Sequence, residues 1–273
     1  ALQQRTDAPA VVVVSMADDQ SELGVAALQA GAFDIVHKPT ALALDRLYQL
    51  SDELTAKILE ASRSKRGARD ETDEPTKLDE PIVAKKTTLL VIGASTGGPQ
   101  ALTRLIHALP GNFPVPVAIV LHMPPGYTEA FARRLDDDCA LDVMEARDDL
   151  LLRPGLVMVA RAGLHLKLRG DHHGWHAQLD ASPIDSLHRP AVDVLFQSAA
   201  ALAREGTLGV VLTGMGSDGK IGSGAIRAAG GRVLTESESS CVVYGMPRTV
   251  VDAGFSNANA PISAMAALIT KHL

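Results

Sequence analysis

Three segments of this chain end an apolar run on a residue with chemistry: Leu89-Leu-Val-Ile-Gly-Ala-Ser-Thr-Gly-Gly-Pro99, Val117-Ala-Ile-Val-Leu-His-Met-Pro-Pro125 and Val210-Val-Leu-Thr-Gly-Met-Gly-Ser-Asp-Gly219. Ser95, His122 and Asp218 are a nucleophile, a base and an acid able to orient that base. Each lies where a buried parallel strand would give way to the loop beyond its carboxyl end. Open α/β sheets bind ligands at that edge, so the three side chains can converge from separate strands. Gly93-Ala-Ser-Thr-Gly97 also fits the G-x-S-x-G turn, which holds a serine clear of the sheet and aims helix N–H groups at a developing oxyanion. Alone, that motif leaves a phosphate loop or a plain tight turn open. His122 alone could be a polar residue at a loop edge, and Asp218 alone a helix cap. Their shared strand-end placement favours the triad. The order serine, histidine, acid departs from the usual α/β-hydrolase order, in which the histidine comes last.

The elements that must position these residues fall into two blocks. Residues 65–86 are rich in charge and poor in apolar periodicity, which is linker composition. Before them, 10–14 reads as a strand, 21–30 as a helix closed by Gly31, 33–36 as a strand and 45–63 as a helix with leucines at 44, 47, 50 and 54 along one face. After them, strands are expected at 87–92, 115–121, 155–160 and 208–212, with one more between Gly231 and the short helix that starts at Arg248. Helices are expected at 99–108, around 128–135, and at 192–203, 221–229, 248–253 and 261–272. Short strands at 164–168 and 175–179 suggest an antiparallel excursion from an otherwise doubly wound α/β sheet.

Composition narrows the function. The chain has 273 residues, 46% apolar and only 3% aromatic, and a formal charge of −6. That charge argues against nucleic acid or an anionic membrane as partner. No apolar run approaches the roughly 18 residues of a membrane span, and no signal peptide is evident, so a cytoplasmic protein is expected. Cys139 and Cys241 have no C-x-x-C spacing and read as packed thiols, Cys241 without a basic partner to activate it. His165, His172, His173 and His176 resemble a metal cluster, but they straddle a predicted surface hairpin and fit no familiar ligand spacing. His272 is expected at an exposed tail.

Two resemblances add to this. The first block resembles the second half of a response-regulator receiver domain of flavodoxin-like fold, carried by Ser15, by Ala27-Leu-Gln-Ala-Gly-Ala-Phe-Asp34 and by His37-Lys38-Pro39. In such domains the serine senses a phosphoryl group and the lysine contacts it. No residue of this chain is assigned as phosphoacceptor, Asp18, Asp19 and Asp34 included. The second block resembles the catalytic domain of the chemotaxis response-regulator protein-glutamate methylesterases. The carriers are Ile92-Gly-Ala-Ser-Thr-Gly-Gly98, His122-Met-Pro-Pro-Gly126, His188-Arg-Pro-Ala-Val-Asp-Val-Leu-Phe196, Leu212-Thr-Gly-Met-Gly-Ser-Asp-Gly219 and Ser240-Cys-Val-Val-Tyr-Gly-Met-Pro247.

The resemblance implies a partial receiver over 1–64, a charged linker over 65–86 and a methylesterase domain over 87–273. It implies Ser95 as nucleophile, His122 as general acid/base, Asp218 as its orienting carboxylate, and the backbone N–H groups of Thr96 and Met215 as the oxyanion hole. The implied substrates are methyl-accepting chemoreceptors, with some glutamines also deamidated, and no metal or organic cofactor is expected. A histidine kinase would be a partner through a complete receiver. Arg189, beside His188, either holds receptor carboxylates or ties down a loop. Two rival readings are an interaction module without activity and a nucleotide-binding loop at 93–98. The latter lacks the G-K-[ST] lysine and the full G-x-G-x-x-G pattern.

Overall fold

A computed structural model describes residues 12–16, 21–38, 44–63, 76–77 and 86–273. The elements run β1 (Val12–Met16), α1 (Ser21–Gln29), β2 (Asp34–Lys38), α2 (Leu44–Arg63), β3 (Thr76–Lys77), β4 (Leu89–Ala94), α3 (Gly98–His107), β5 (Val117–Leu121), α4 (Tyr127–Asp138), β6 (Asp142–Glu145) and β7 (Leu156–Val159). There follow β8 (His165–Asp171), β9 (Gly174–Asp180), α5 (Val192–Ala203), β10 (Thr207–Val211), α6 (Lys220–Ala228), β11 (Arg232–Glu236), α7 (Met246–Asp252), β12 (Ala258–Ala260) and α8 (Ile262–Thr270).

Eight strands form the main sheet in the order β3-β12-β11-β10-β4-β5-β7-β6, parallel throughout except for β3 against β12. The alternation of side chains along β4 builds both faces. Leu90 and Ile92 point to one side with Leu102 and Leu105 of α3, Phe131 of α4 and Met265 of α8. Leu89 and Val91 point to the other with Val192 and Phe196 of α5, Ile226 of α6 and Val250 of α7. Both layers are apolar because a parallel sheet covered by helices is buried on both faces. The chain winds outward from β4 through β5 to β6 and β7, then returns to place β10 on the other side of β4. The point of reversal therefore lies between the carboxyl ends of β4 and β10, where open α/β sheets hold their ligands.

The antiparallel excursion is the hairpin β8–β9, a separate two-stranded sheet packed under α5 through Leu166, Leu168 and Ala177. In the first block, β1 and β2 pair in parallel. Val25 and Leu28 of α1, Ala32 and Ile35 join the apolar layer of α3 and α4, which gives this small unit the cover it cannot make for itself.

The structure differs from the sequence reading at three places. β6 and β12 were not anticipated: each is short, and Ala-Asn-Ala has no strand propensity of its own, so pairing with a neighbour makes the strand. Thr76 and Lys77, inside the span read as linker, add an antiparallel edge to β12. His272 is not exposed but 5% accessible. Its Nδ1 meets Arg232 Nη1 at 3.2 Å, and its carbonyl accepts from the Thr87 hydroxyl and from Arg232 Nη2, which fastens the chain end across β4 and β11. Among the described residues no helix is long and apolar enough to cross a membrane.

Ile119, fully buried between Ile92 of β4 and Val159 of β7, sits mid-sheet. Ile119→Ala is expected to lower unfolding free energy by about 2–5 kcal/mol, read as a shifted urea midpoint with an unchanged slope.

Candidate active site

Ser95 follows β4 directly and His122 follows β5. Their strands are in register with Ala94 opposite Leu121, and the His122 N–H donates to the Ala94 carbonyl at 3.1 Å. On the other side of β4, the Ser95 N–H donates to the Thr213 carbonyl at 3.0 Å, which seats the loop after β10 beside it. Gly97, at φ +79°, turns the chain into α3, a left-handed conformation that favours glycine. Gly214 must also be glycine, because a Cβ there would stand 2.8 Å from Ser95 Cβ.

His122 Nε2 donates to Asp218 Oδ2 at 2.8 Å, and both side chains are nearly buried. With Nε2 carrying the hydrogen, Nδ1 is left as the basic nitrogen. It is buried and has no partner among the described residues. This reverses the serine-protease arrangement, in which the acid holds Nδ1 and Nε2 faces the serine. Ser95 is thus set beside His122 without a hydrogen bond to it. Catalytic hydrogen bonds are often long in unliganded sites and close in the substrate complex.

Asp218 is held from three directions. Oδ2 also accepts the Val192 N–H at 2.7 Å, and Oδ1 accepts the Asp193 N–H at 2.9 Å, both from the first turn of α5. Burial pushes its carboxyl up, but the hydrogen bond and charge of His122, with these two N–H groups, bring it net below the ordinary carboxylate value. Asp193 returns the favour to α6. Its Oδ1 accepts from the N–H groups of Gly219 and Gly222 at 3.0 and 2.7 Å. Burial raises the Asp193 carboxyl, and the Asp218 charge adds to that.

His188 stacks on His122 with ring centroids 4.1 Å apart and planes 22° from parallel. Burial first, then the neighbouring His122, lowers its pKa to about 4 against a weaker opposing pull from Asp218. Arg189 donates through Nη2 to the Ile184 carbonyl at 2.7 Å, so its guanidinium ties down the loop. His165, fully buried, secures the same loop: Nε2 donates to the Pro183 carbonyl and Nδ1 accepts the Ala191 N–H. It belongs to the α5 entry and not to a surface histidine group. His172 and His173 lie at the hairpin turn, and His176 faces Asp171. Among the described residues no group of three or more His, Cys, Asp or Glu could hold a metal ion.

The N–H groups of Thr96 and Met215 have no acceptor among the described residues; Thr96 follows Ser95, and Met215 follows Gly214, which packs against Ser95. The Thr96 hydroxyl donates to Asp34 Oδ2 at 2.7 Å, so the first block reaches the residue after Ser95. Ser15 and Lys38 lie on β1 and β2, one register step apart, but their side chains fall outside the described set, as do Asp18 and Asp19 altogether. Cys139 and Cys241 are both free, and burial pushes the Cys241 thiol far up, away from nucleophilic use.

The CheB methylesterase family profile matches residues 90–269. The chain belongs to the CheB methylesterase family. It is 54% identical over 277 residues to protein-glutamate methylesterase/protein-glutamine glutaminase 5 of Myxococcus xanthus, covering 100% of this chain and 79% of that protein. It is 38% identical to the protein-glutamate methylesterase/protein-glutamine glutaminase of Pectobacterium atrosepticum, over 90% of this chain and 70% of the relative. The crystal structure of the Thermotoga maritima CheB methylesterase catalytic domain superposes with a TM-score of 0.67 at 38% identity, covering 69% of this chain and all of that one. The α/β architecture is therefore that of the family's catalytic domain.

Sequence reasoning missed Asp193, although it lies in a quoted segment, because its role runs through backbone N–H groups. Its signal was an acidic residue in the first turn of a helix whose partner loop begins with Asp218.

Two predictions follow from these environments. Asp218→Asn keeps the shape but loses the charge that holds Nε2–H, and is expected to lower kcat on the order of 10³–10⁴-fold, as in a serine protease, measured as steady-state ester hydrolysis. The second concerns acid stability. His188 and His272 are both held from 6.5 to about 4, His272 by burial and then by Arg232. Between those values the unfolded chain binds protons that the folded chain refuses, so stability falls as pH drops through the window. Urea midpoints should decline from pH 7 to 4.5, and His272→Gln should flatten that slope.

Proposed function

We infer that this chain is a protein-glutamate methylesterase, a hydrolase that converts glutamate methyl esters on methyl-accepting chemoreceptors to glutamate and methanol in chemotaxis-type adaptation. We extend the same chemistry to receptor glutamines, where the leaving group is ammonia. The observation that carries the reading is the His122–Asp218 hydrogen bond at the strand ends beside Ser95, in a chain of this family.

In this reading Ser95 Oγ attacks the ester carbonyl carbon while its proton passes to His122 Nδ1. The carbonyl oxygen becomes an oxyanion between the N–H groups of Thr96 and Met215, where preformed donors act without reorganising. As the C–O bond to the methoxy group breaks, His122 returns the proton to the departing methanol. Water then attacks the acyl-enzyme with its proton going to Nδ1, and Ser95 leaves reprotonated. Asp218 keeps Nε2–H in place and balances the positive charge that His122 carries between the two transfers.

We read residues 1–64 as part of a receiver domain, 65–86 as its charged linker and 87–273 as the catalytic domain. The parallel β1–β2 pair with α1 between them supports the first of these. A histidine kinase would act on the protein through a complete receiver. The Asp34–Thr96 hydrogen bond gives the first block a route to the catalytic loop.

The deciding experiment is release of labelled methanol from receptor membranes carrying methyl-labelled glutamate, with this chain and its Ser95→Ala variant side by side. Release by the first and none above background by the variant is the expected result. Equal release by both would remove Ser95 from the mechanism, and release by neither would overturn the methylesterase reading.

A further inference from the structure

β11 ends on a polar residue, whereas β4, β5 and β10 end on apolar ones and hand over to polar residues in the loops beyond. Glu236 is 1% accessible and lies within the apolar body of the protein, yet no step of the proposed reaction uses it. A buried carboxylate is costly unless its oxygens are occupied. Here Oε2 accepts the Thr213 N–H at 2.8 Å and Oε1 accepts the Ser240 hydroxyl at 2.8 Å.

Thr213 is the hub of the catalytic loop. Its carbonyl accepts the Ser95 N–H, and its hydroxyl donates to the Thr96 carbonyl at 3.0 Å while accepting the Val243 N–H at 3.0 Å. The next residue, Gly214, donates to the Val243 carbonyl and accepts from Gly245 and Met246, so Met215 follows a pinned backbone. One residue therefore links Ser95, the Thr96 carbonyl and the approach to Met215 through its carbonyl and its hydroxyl. The acceptor that fixes the same residue through its N–H is Glu236.

We propose that Glu236 is the positioning residue of the oxyanion hole: by accepting the Thr213 N–H it sets the separation between the Thr96 and Met215 donors. The proposal rests on the hydrolase reading above. It differs from a packing role because it requires an acceptor at Oε2, whatever fills the rest of the volume. Ser240 serves a separate purpose, since its oxygen also accepts the Ile262 N–H at 2.9 Å and ties the loop to α8. Burial raises the Glu236 carboxyl, opposed by the Thr213 N–H, the Ser240 hydroxyl, Cys241 and the more distant Arg104.

The test compares Glu236→Met, which keeps length and apolar volume without an acceptor, with Glu236→Gln, which can still present an oxygen to Thr213. Each is read as kcat and KM for methanol release, normalised to the fraction of Ser95 labelled at completion by a fluorophosphonate. The rate constant of that labelling is a second readout, because it needs the same oxyanion donors and no receptor. Glu236→Met is expected to lower kcat and the labelling rate about 100-fold, near the loss of one oxyanion donor, with KM within two-fold. Glu236→Gln should recover both to within about five-fold of wild type. The proposal is overturned if Glu236→Met keeps kcat and labelling within two-fold, if its loss lies in KM, or if Glu236→Gln loses as much.

Should Glu236→Met fail to fold, Glu236→Gln and Ser240→Ala decide. Ser240→Ala removes the other partner and is expected to lower Tm while leaving kcat per labelled site within two-fold. A loss on the order of 100-fold in Ser240→Ala would overturn a role specific to Thr213. Labelling without methanol release in the wild type would instead sink the methylesterase reading, leaving Glu236 to be judged on labelling rates alone.

Discussion

The carboxylate of Asp218 must stay charged in a place where water cannot solvate it, and much of the site's architecture follows from that demand. Its side chain is 8% accessible. An unpaired charge at such a site would lose its proton affinity contest and be neutralised. Three donors prevent this: His122 Nε2 and the N–H groups of Val192 and Asp193. Two of the three are free N–H groups of a helix start, which would need acceptors in any case. The protein thus satisfies the beginning of α5 and keeps Asp218 ionised with the same bonds. The favourable end of the α5 dipole adds to the effect.

That solution carries a structural consequence. α5 and the loop before α6 come from opposite sides of β10 in sequence, yet each supplies the carboxylate that caps the other. Asp218 caps α5, and Asp193 caps α6 through Gly219 and Gly222. Neither helix can shift without breaking the other's cap. Burial raises the Asp193 carboxyl and the Asp218 charge adds to it, so the arrangement holds because each carboxylate is enclosed by backbone donors. His165 extends this control backward by fastening the loop that delivers Ala191 to α5. The position of Asp218 is in this sense a property of two helix termini and not of one loop.

What could be read from sequence divides along the same line. Ser95, His122 and Asp218 were legible as candidates because the first two directly follow apolar strands and the third lies in the loop after another, and the sheet topology brings such loops together. The doubly wound fold was legible from runs that alternate with helical periodicity, as at Leu102, Leu105 and Ile106. Asp193 and Glu236 were not, since both act through main-chain N–H groups whose locations depend on tertiary packing. Glu236 did carry the strand-end signal, but without the run of glycine or proline that followed the other strands. β6 and β12 escaped because strand pairing overrides weak local preference. His272 was misjudged as a solvated tail because nothing in the sequence announces that Thr87 and Arg232 will receive it.

The stacking of His188 on His122 poses a problem that burial solves. In the proposed mechanism His122 takes the Ser95 proton and becomes cationic while its ring lies 4.1 Å from that of His188. Two unit charges about 4 Å apart repel by about 4 kcal/mol at an effective dielectric of 20. A penalty of that size in the transition state would slow the reaction by roughly a thousand-fold. A protonated His188 would therefore act against the base it covers. Desolvation, which lowers its pKa to about 4, keeps it uncharged at neutral pH, so it can shield one face of the catalytic imidazole without opposing its charge. The same desolvation makes an unpaired Nδ1 on His122 tolerable only as a site awaiting a donor. Ser95, next to it across the β4–β5 register, is the donor that the proposed mechanism brings to that nitrogen.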